Sequence, residues 1–260
     1  MRRRGFAAVF FIVAYGLGSA RAHDLWVEPG VHEVNDGEKV KVRLRVGHED
    51  DVEEVPRKPD RIVRFVAVGP KKSVEVAGEA GDRPAGEVEL TGPGTHVLVY
   101  QSNHAYIELK PRAFERYLKH EGLEGIIERR GRRSEREVPG RESYARYAKA
   151  LVRVGDEDAG FARRVGLALE ITPTKSPFSE GSATFRVEFR GKPLPDARVD
   201  LMRLEGLKTV DFERTNEAGE VELQVPGPGR WLVAMTHMIP AAEDVRGDWE
   251  SYWATLLFAR

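Results

Sequence analysis

Residues Lys39 to Val46 alternate without a break, with Val40, Val42, Leu44 and Val46 on one side and Lys39, Lys41, Arg43 and Arg45 on the other. Successive side chains of a strand point to opposite faces, so this stretch reads as a strand with one face in a core and one in water. Further strands are expected at Arg61 to Val68, Gly86 to Leu90, Thr95 to Gln101 and His104 to Leu109, punctuated by Gly and Pro at the spacing of a sandwich. They return at Leu167 to Ile171, Ala183 to Phe189, Ala197 to Leu204, Glu220 to Val225, Arg230 to His237 and Ser251 to Phe258. The fold class is mainly β.

Between the two sets the pattern changes. Pro111 opens helical pieces carrying Phe114, Tyr117, Leu118 and Ile126, interrupted by Gly122 and Gly125. Glu142 to Val154 also reads as a helix, with Tyr144, Tyr147, Ala148 and Leu151 in one stripe. Arg129, Arg130, Arg132, Arg133 and Arg136, relieved by three glutamates, read as a solvated linker, and His48 to Glu54 as a solvated acidic loop. The run from Gly191 to Val199, the turn Thr215 to Gly219 and Gly229-Arg230-Trp231 resemble prealbumin-like and collagen-adhesin-repeat sandwiches. The division expected is a leader over 1–22, a β-sandwich over 23–110, a helical segment over 111–165 packed with it, and a prealbumin-like, Ig-like β-sandwich over 166–260.

The leader is read from Met1-Arg2-Arg3-Arg4, an apolar run from Gly5 to Leu17, and Ala20-Arg21-Ala22. A basic start, an apolar stretch too short to span a bilayer and a small-x-small site describe a cleavable signal peptide, and hence a periplasmic or secreted protein with no membrane anchor after cleavage. Its removal takes away four arginines and no acid, leaving 37 basic against 42 acidic side chains, a charge of −5. That balance argues against nucleic acid. Cysteine is absent, which excludes thiolate metal sites, disulfides, cysteine lipidation and cysteine nucleophiles. No phosphate-binding glycine loop or nucleophile elbow occurs, and the chain reads as a non-enzyme.

Cleavage after Ala22 would leave His23 with a free α-amine beside its imidazole, two nitrogens that lose their protons cheaply near neutral pH and suit nickel, cobalt, copper or zinc. Of the seven histidines, His237 and His48 stand at strand ends, where a scaffold presents a ligand rigidly. His104 lies beside Ser102-Asn103, read as the turn of a hairpin, while His96 falls on the opposite, core-facing side. His120, at a helix end, is accounted for by the carbonyl dipole, and His32 by a polar loop. The candidate metal ligands are therefore His23, His237, His48 and His104.

Ala22 to Pro29, Phe114 to Leu118 with Glu121-Gly122-Leu123, Glu142 to Lys149, Leu169 to Pro173 and His237-Met238 followed by Asp248 to Thr255 resemble domain-of-unknown-function family 4198. The resemblance covers nearly the whole mature chain. It implies a periplasmic two-part β protein accompanying a nickel or cobalt transporter in the membrane, with His23 and His237 matching the family's recurrent histidines. The expectation is an accessory protein that captures Ni(II) or Co(II) and hands it to that transporter; Cu(II) would bind more tightly in vitro. A histidine-brace copper redox protein and a metal-free carbohydrate or adhesion module are the alternatives.

Overall fold

The computed structural model describes residues 23–48 and 51–260. The expected leader lies outside the described residues, as do Glu49 and Asp50 of the acidic stretch. In chain order the first half holds β1 (Asp24–Pro29), β2 (Glu33–Val34), β3 (Lys39–His48), β4 (Asp51–Val55), β5 (Ile62–Val68), β6 (Ser73–Glu75), β7 (Gly86–Glu89), β8 (Gly94–Ser102), β9 (Ala105–Leu109), α1 (Pro111–His120), α2 (Glu124–Arg132) and β10 (Gly140–Val154). The second holds β11 (Leu169–Pro173), β12 (Ser182–Phe189), β13 (Lys192–Pro193), β14 (Arg198–Arg203), β15 (Lys208–Arg214), β16 (Glu220–Gln224), β17 (Arg230–Pro240) and β18 (Trp249–Ala259). The protein is mainly β, as its alternation predicts.

The strands form three layers. A central ten-stranded sheet runs β15-β14-β17-β18-β10-β8-β5-β6, with β2 and β9 also on β10. A front sheet of β1, β3, β4 and β7 packs Val40, Val42 and Leu44 against Leu98, Ala148, Ala150 and Leu232 of the central sheet. A back sheet of β11, β12, β13 and β16 packs Ile171, Phe185 and Val187 against Val99, Tyr147, Val233 and Leu256. Helices α1 and α2 extend the front layer, burying Phe114 and Leu118 with Met238, Trp249 and Trp253. No helix among the described residues is long and apolar enough to cross a membrane.

The halves on either side of residue 165 share the central sheet, because β10 and β18 pair in parallel from Glu142 opposite Trp249 to Ala150 opposite Leu257. This corrects the helix expected at Glu142 to Val154, where a 15-residue strand stands instead. A central strand covered on both faces needs apolar residues at odd and even positions alike, so Ala145 to Leu151 falls into a helical stripe by coincidence. Residues 111–165 are thus helical only in α1 and α2.

Three local expectations change for related reasons. β8 and β9 are not a hairpin: both run antiparallel to β10, β8 along Leu151–Val154 and β9 along Gly140–Tyr144, and at the break between them Arg146 N–H donates to Ser102 Oγ at 2.9 Å. The acidic residues from Asp51 onward form β4, which pairs with β3. Arg130, in the supposed solvated linker, is 1% exposed, donating to the carbonyls of Glu135 and Val138 at 2.7 and 2.8 Å with its guanidinium 4.9 Å from the Phe114 ring.

Gly140 shows how tightly α1 sits on β10, since a Cβ there would clash with the Phe114 ring, closest to its Cγ. Gly140→Ala is expected to destabilise by about 1–3 kcal/mol through overpacking, read as a lowered urea midpoint at unchanged m. An unchanged midpoint would show that α1 can give way.

Candidate metal centre

The mouth of the front layer is built by strand pairing. Val27 lies opposite Leu44, Leu25 opposite Val46 and Asp24 opposite Gly47. Side chains of directly opposed residues share a face, so extending the register by one residue sets His23 across from His48, on the inward face carrying Leu25 and Val46.

Helix α1 brings the next histidine. Pro111 starts it with a preset φ, and Phe114, Tyr117 and Leu118 bury its inner side, so its last residue, His120, comes to rest at the end of β3. His120 Nε2 lies 3.3 Å from His48 Nε2, the ring centroids 5.1 Å apart and tilted by 50°. Among the described residues no three His, Asp or Glu side chains are gathered at metal-binding distances.

A set of coupled carboxyl groups involves Glu121, Asp24 and Asp200. Glu121, next to His120, accepts from Thr236 Oγ1 at 2.7 Å. Burial, reinforced by Asp24 and Asp200 and opposed by the Thr236 bond and Arg146, raises its pKa to about 8. Burial likewise raises Asp24 to about 6, against the pull of Arg146 and with a push from Asp200. Asp200 is held by Arg198, whose Nη2 and Nε lie 2.7 and 3.0 Å from its carboxylate oxygens.

His237 and His104 are elsewhere. On β17, Leu232 and Ala234 enter the front core and Val233 and Met235 the back core; His237 continues the second set, with its ring 4.6 Å from Phe189. His104 lies 3.2 Å from Glu250 Oε1 and edge-on to Tyr252, which also touches Phe189. The structure therefore brings His48 to His120, leaves His23 just before the first paired residue of β1, and gathers His104 and His237 around Tyr252 on the opposite face of the central sheet. Of the four candidate ligands His23, His237, His48 and His104, His237 and His104 thus lie on the other side of the central sheet from His48. His96 is a packed residue, 3% exposed and donating to the Gly92 carbonyl at 2.9 Å. His32 Nδ1 meets the Leu151 carbonyl at 3.3 Å.

His120 is the residue that sequence reasoning missed. A helix end accounts for it locally, and nothing in the 72 positions separating it from His48 announces that the two meet.

Burial, aided by Arg190, lowers the His237 pKa to about 4, so the folded protein holds this ring neutral. A lowered histidine pKa means that the unfolded chain binds the extra proton between the unfolded value of about 6.5 and the folded one. Stability should then fall as pH drops through that window, and His237→Leu should flatten the dependence. Urea unfolding at pH 7, 5.5 and 4.5 checks this; equal slopes for both proteins would mean that the ring titrates normally in the fold.

Comparison with known proteins gives a family and little beyond it. The model of a domain of unknown function, DUF4198, matches residues 20–239. No curated protein matches the sequence. Among solved structures, the D00-D0 domain of intimin is 10% identical, with 91% of this chain and all of that one covered at a TM-score of 0.20. The Yersinia pseudotuberculosis adhesin InvE is 12% identical over 90% of this chain and 58% of its own, at a TM-score of 0.21. Three N-terminal domains of the bacteriophage RB49 outer capsid protein Hoc are 5% identical over 92% and 71%, also at 0.21. Superpositions this loose carry no argument about function. The matched span takes in His23, β1, β3 and His48, α1 with His120, and β17 as far as Ile239, and the chain belongs to the family of domain of unknown function 4198.

Proposed function

We propose that the mature chain, beginning at His23 after cleavage behind Ala22, captures a divalent transition-metal ion outside the cytoplasm, nickel(II) or cobalt(II), and passes it to a membrane transporter. The observation that carries this reading is the 3.3 Å between the Nε2 atoms of His48 and His120. A tetrahedral ion with zinc-like bonds of about 2.0–2.1 Å to two imidazoles holds their nitrogens about 3.3–3.4 Å apart, a spacing the pair already has. The α-amine and ring of His23 would supply further nitrogen donors from the neighbouring strand. Before cleavage that amine is a peptide nitrogen and no donor, so loading would follow export. All-nitrogen ligation suits nickel, cobalt, copper and zinc, and the Irving–Williams order puts copper first in vitro.

Calorimetric titration of Ni(II), Co(II), Cu(II) and Zn(II) into protein starting at His23, beside protein carrying one extra N-terminal glycine, tests the reading. Tight 1:1 binding that the extra residue abolishes is expected. Equal binding by both proteins would remove the terminus from the site, and no binding by either would end the metal reading in favour of a metal-free recognition module. Peroxide consumption with ascorbate by the copper-loaded protein would turn it toward redox chemistry.

A further inference from the structure

A cleft of about 310 Å³ opens between the front and central sheets, lined on one side by Leu25, Leu44, Val46 and Val55 and on the other by Tyr100 and Arg146. Its volume falls at the lower end of small-ligand sites, and its lining is that of one: apolar walls with a few polar groups at one end. Leu25 and Val46 are directly opposed on β1 and β3, so the cleft follows the same inward face that carries His23 and His48.

Arg146 is the unusual member. Its guanidinium is clamped between rings, 4.3 Å from the Trp253 centroid and 5.3 Å from that of Tyr144. Nη1 is shut off from solvent and makes no hydrogen bond. A buried donor left without an acceptor is costly, more so when charged, and native proteins keep such groups where something else completes them. Asp24, Glu121 and Glu142 feel its charge, but Glu142 Oε1 takes its bonds from Tyr117 and Ser251, Glu121 from Thr236, and among the described residues no carboxylate accepts a hydrogen bond from Arg146. Lys58 and Arg61 add positive charge at the rim against Asp60 alone, and Arg61 is already bonded to the His104 carbonyl.

We propose that this cleft binds a small organic anion, a monocarboxylate with a short aliphatic tail, its carboxylate on Arg146 and its tail against Leu44, Val46 and Val55. The guanidinium of Arg146 offers a carboxylate charge-assisted N–H bonds that hold the head group, while the valine and leucine walls select an aliphatic body over a sugar or a bare inorganic ion. The inference is independent of the metal reading.

Hexanoate is the probe, titrated into the mature protein in EDTA so that no ion can recruit it, with hexanamide as the uncharged control and binding followed by calorimetry and by NMR shifts of the cleft methyl groups. Saturable hexanoate binding is expected, with hexanamide at least ten-fold weaker. Arg146→Gln should cost about 10- to 100-fold, the worth of a charge-assisted pair. Val55→Phe, which fills the apolar end and leaves Arg146 in place, should weaken binding comparably. Should Arg146→Gln fail to fold, the hexanamide and Val55→Phe arms decide. No saturable binding, or equal binding of hexanoate and hexanamide, or a Val55→Phe protein that binds as well as the parent, would overturn the proposal.

Discussion

Replacing His120 by alanine is expected to weaken Ni(II) binding by about 100- to 1,000-fold while leaving the fold intact. The size follows from dividing the roughly 10–16 kcal/mol of a four-ligand nitrogen or sulfur site among its ligands, about 2.5–4 kcal/mol each. The fold should tolerate the change, because His120 is the exposed last residue of α1, whose hold on the protein comes from Phe114, Tyr117 and Leu118. His48→Ala should match it, and the double variant should lose less than the sum, since either single change already breaks the 3.3 Å pair. Calorimetry on the three proteins, all starting at His23, measures this. Wild-type affinity in His120→Ala would mean that the two rings merely share a hydrogen bond.

A second large effect is expected at Lys149, behind the central sheet. It is 1% exposed, and its Nζ donates to Glu170 Oε1 at 2.9 Å and to Thr172 Oγ1 at 3.1 Å. Glu170, also buried, accepts the backbone N–H groups of Val165, Gly166 and Leu167 at 2.7, 2.9 and 3.2 Å. Burial pushes the Lys149 pKa down against the pull of Glu170. Burial would raise Glu170, yet Lys149 and the three amides hold it below the usual carboxylate range. Lys149→Ala strands a buried carboxylate and should cost about 3–5 kcal/mol, whereas Lys149→Met with Glu170→Gln should cost much less. Urea unfolding at pH 7 with an unchanged m-value separates these outcomes. A loss below about 1 kcal/mol for the alanine variant would mean that water reaches the pair.

Where one face of a strand meets water, the sequence announces it. β3 is legible because its lysines and arginines alternate with core valines, and α1 because Pro111 opens an amphipathic turn. β10 is illegible for the opposite reason: covered front and back, it carries no alternation, and its alanines and tyrosines imitate a helix. The same double coverage explains why both faces of β8 are buried, not only the core-facing side that carries His96. Of the candidate site, His23 is visible in the sequence as the residue after the expected cleavage point and His48 as a strand end. His120 belongs beside them only because α1 docks on β18 and β17, a tertiary fact that no local pattern contains. His237 stands near the end of a strand, as read, but on the side of the back core, and His104 is an exposed residue between β8 and β9 rather than the neighbour of a hairpin turn.

The position of β18 has a consequence for when the protein acquires its shape. This strand follows the other seventeen in sequence yet occupies the middle of the central sheet, between β17 and β10, and the front and back cores both draw on it. Until residues 249–259 have been synthesised, β10 lacks a neighbour along Glu142 to Ala150 and β17 lacks one along its whole length. Neither half can close around a finished core before then. Pairings between such distant segments form slowly, on the order of milliseconds to seconds. A fold built this way is completed by residues 249–259, on which both cores draw.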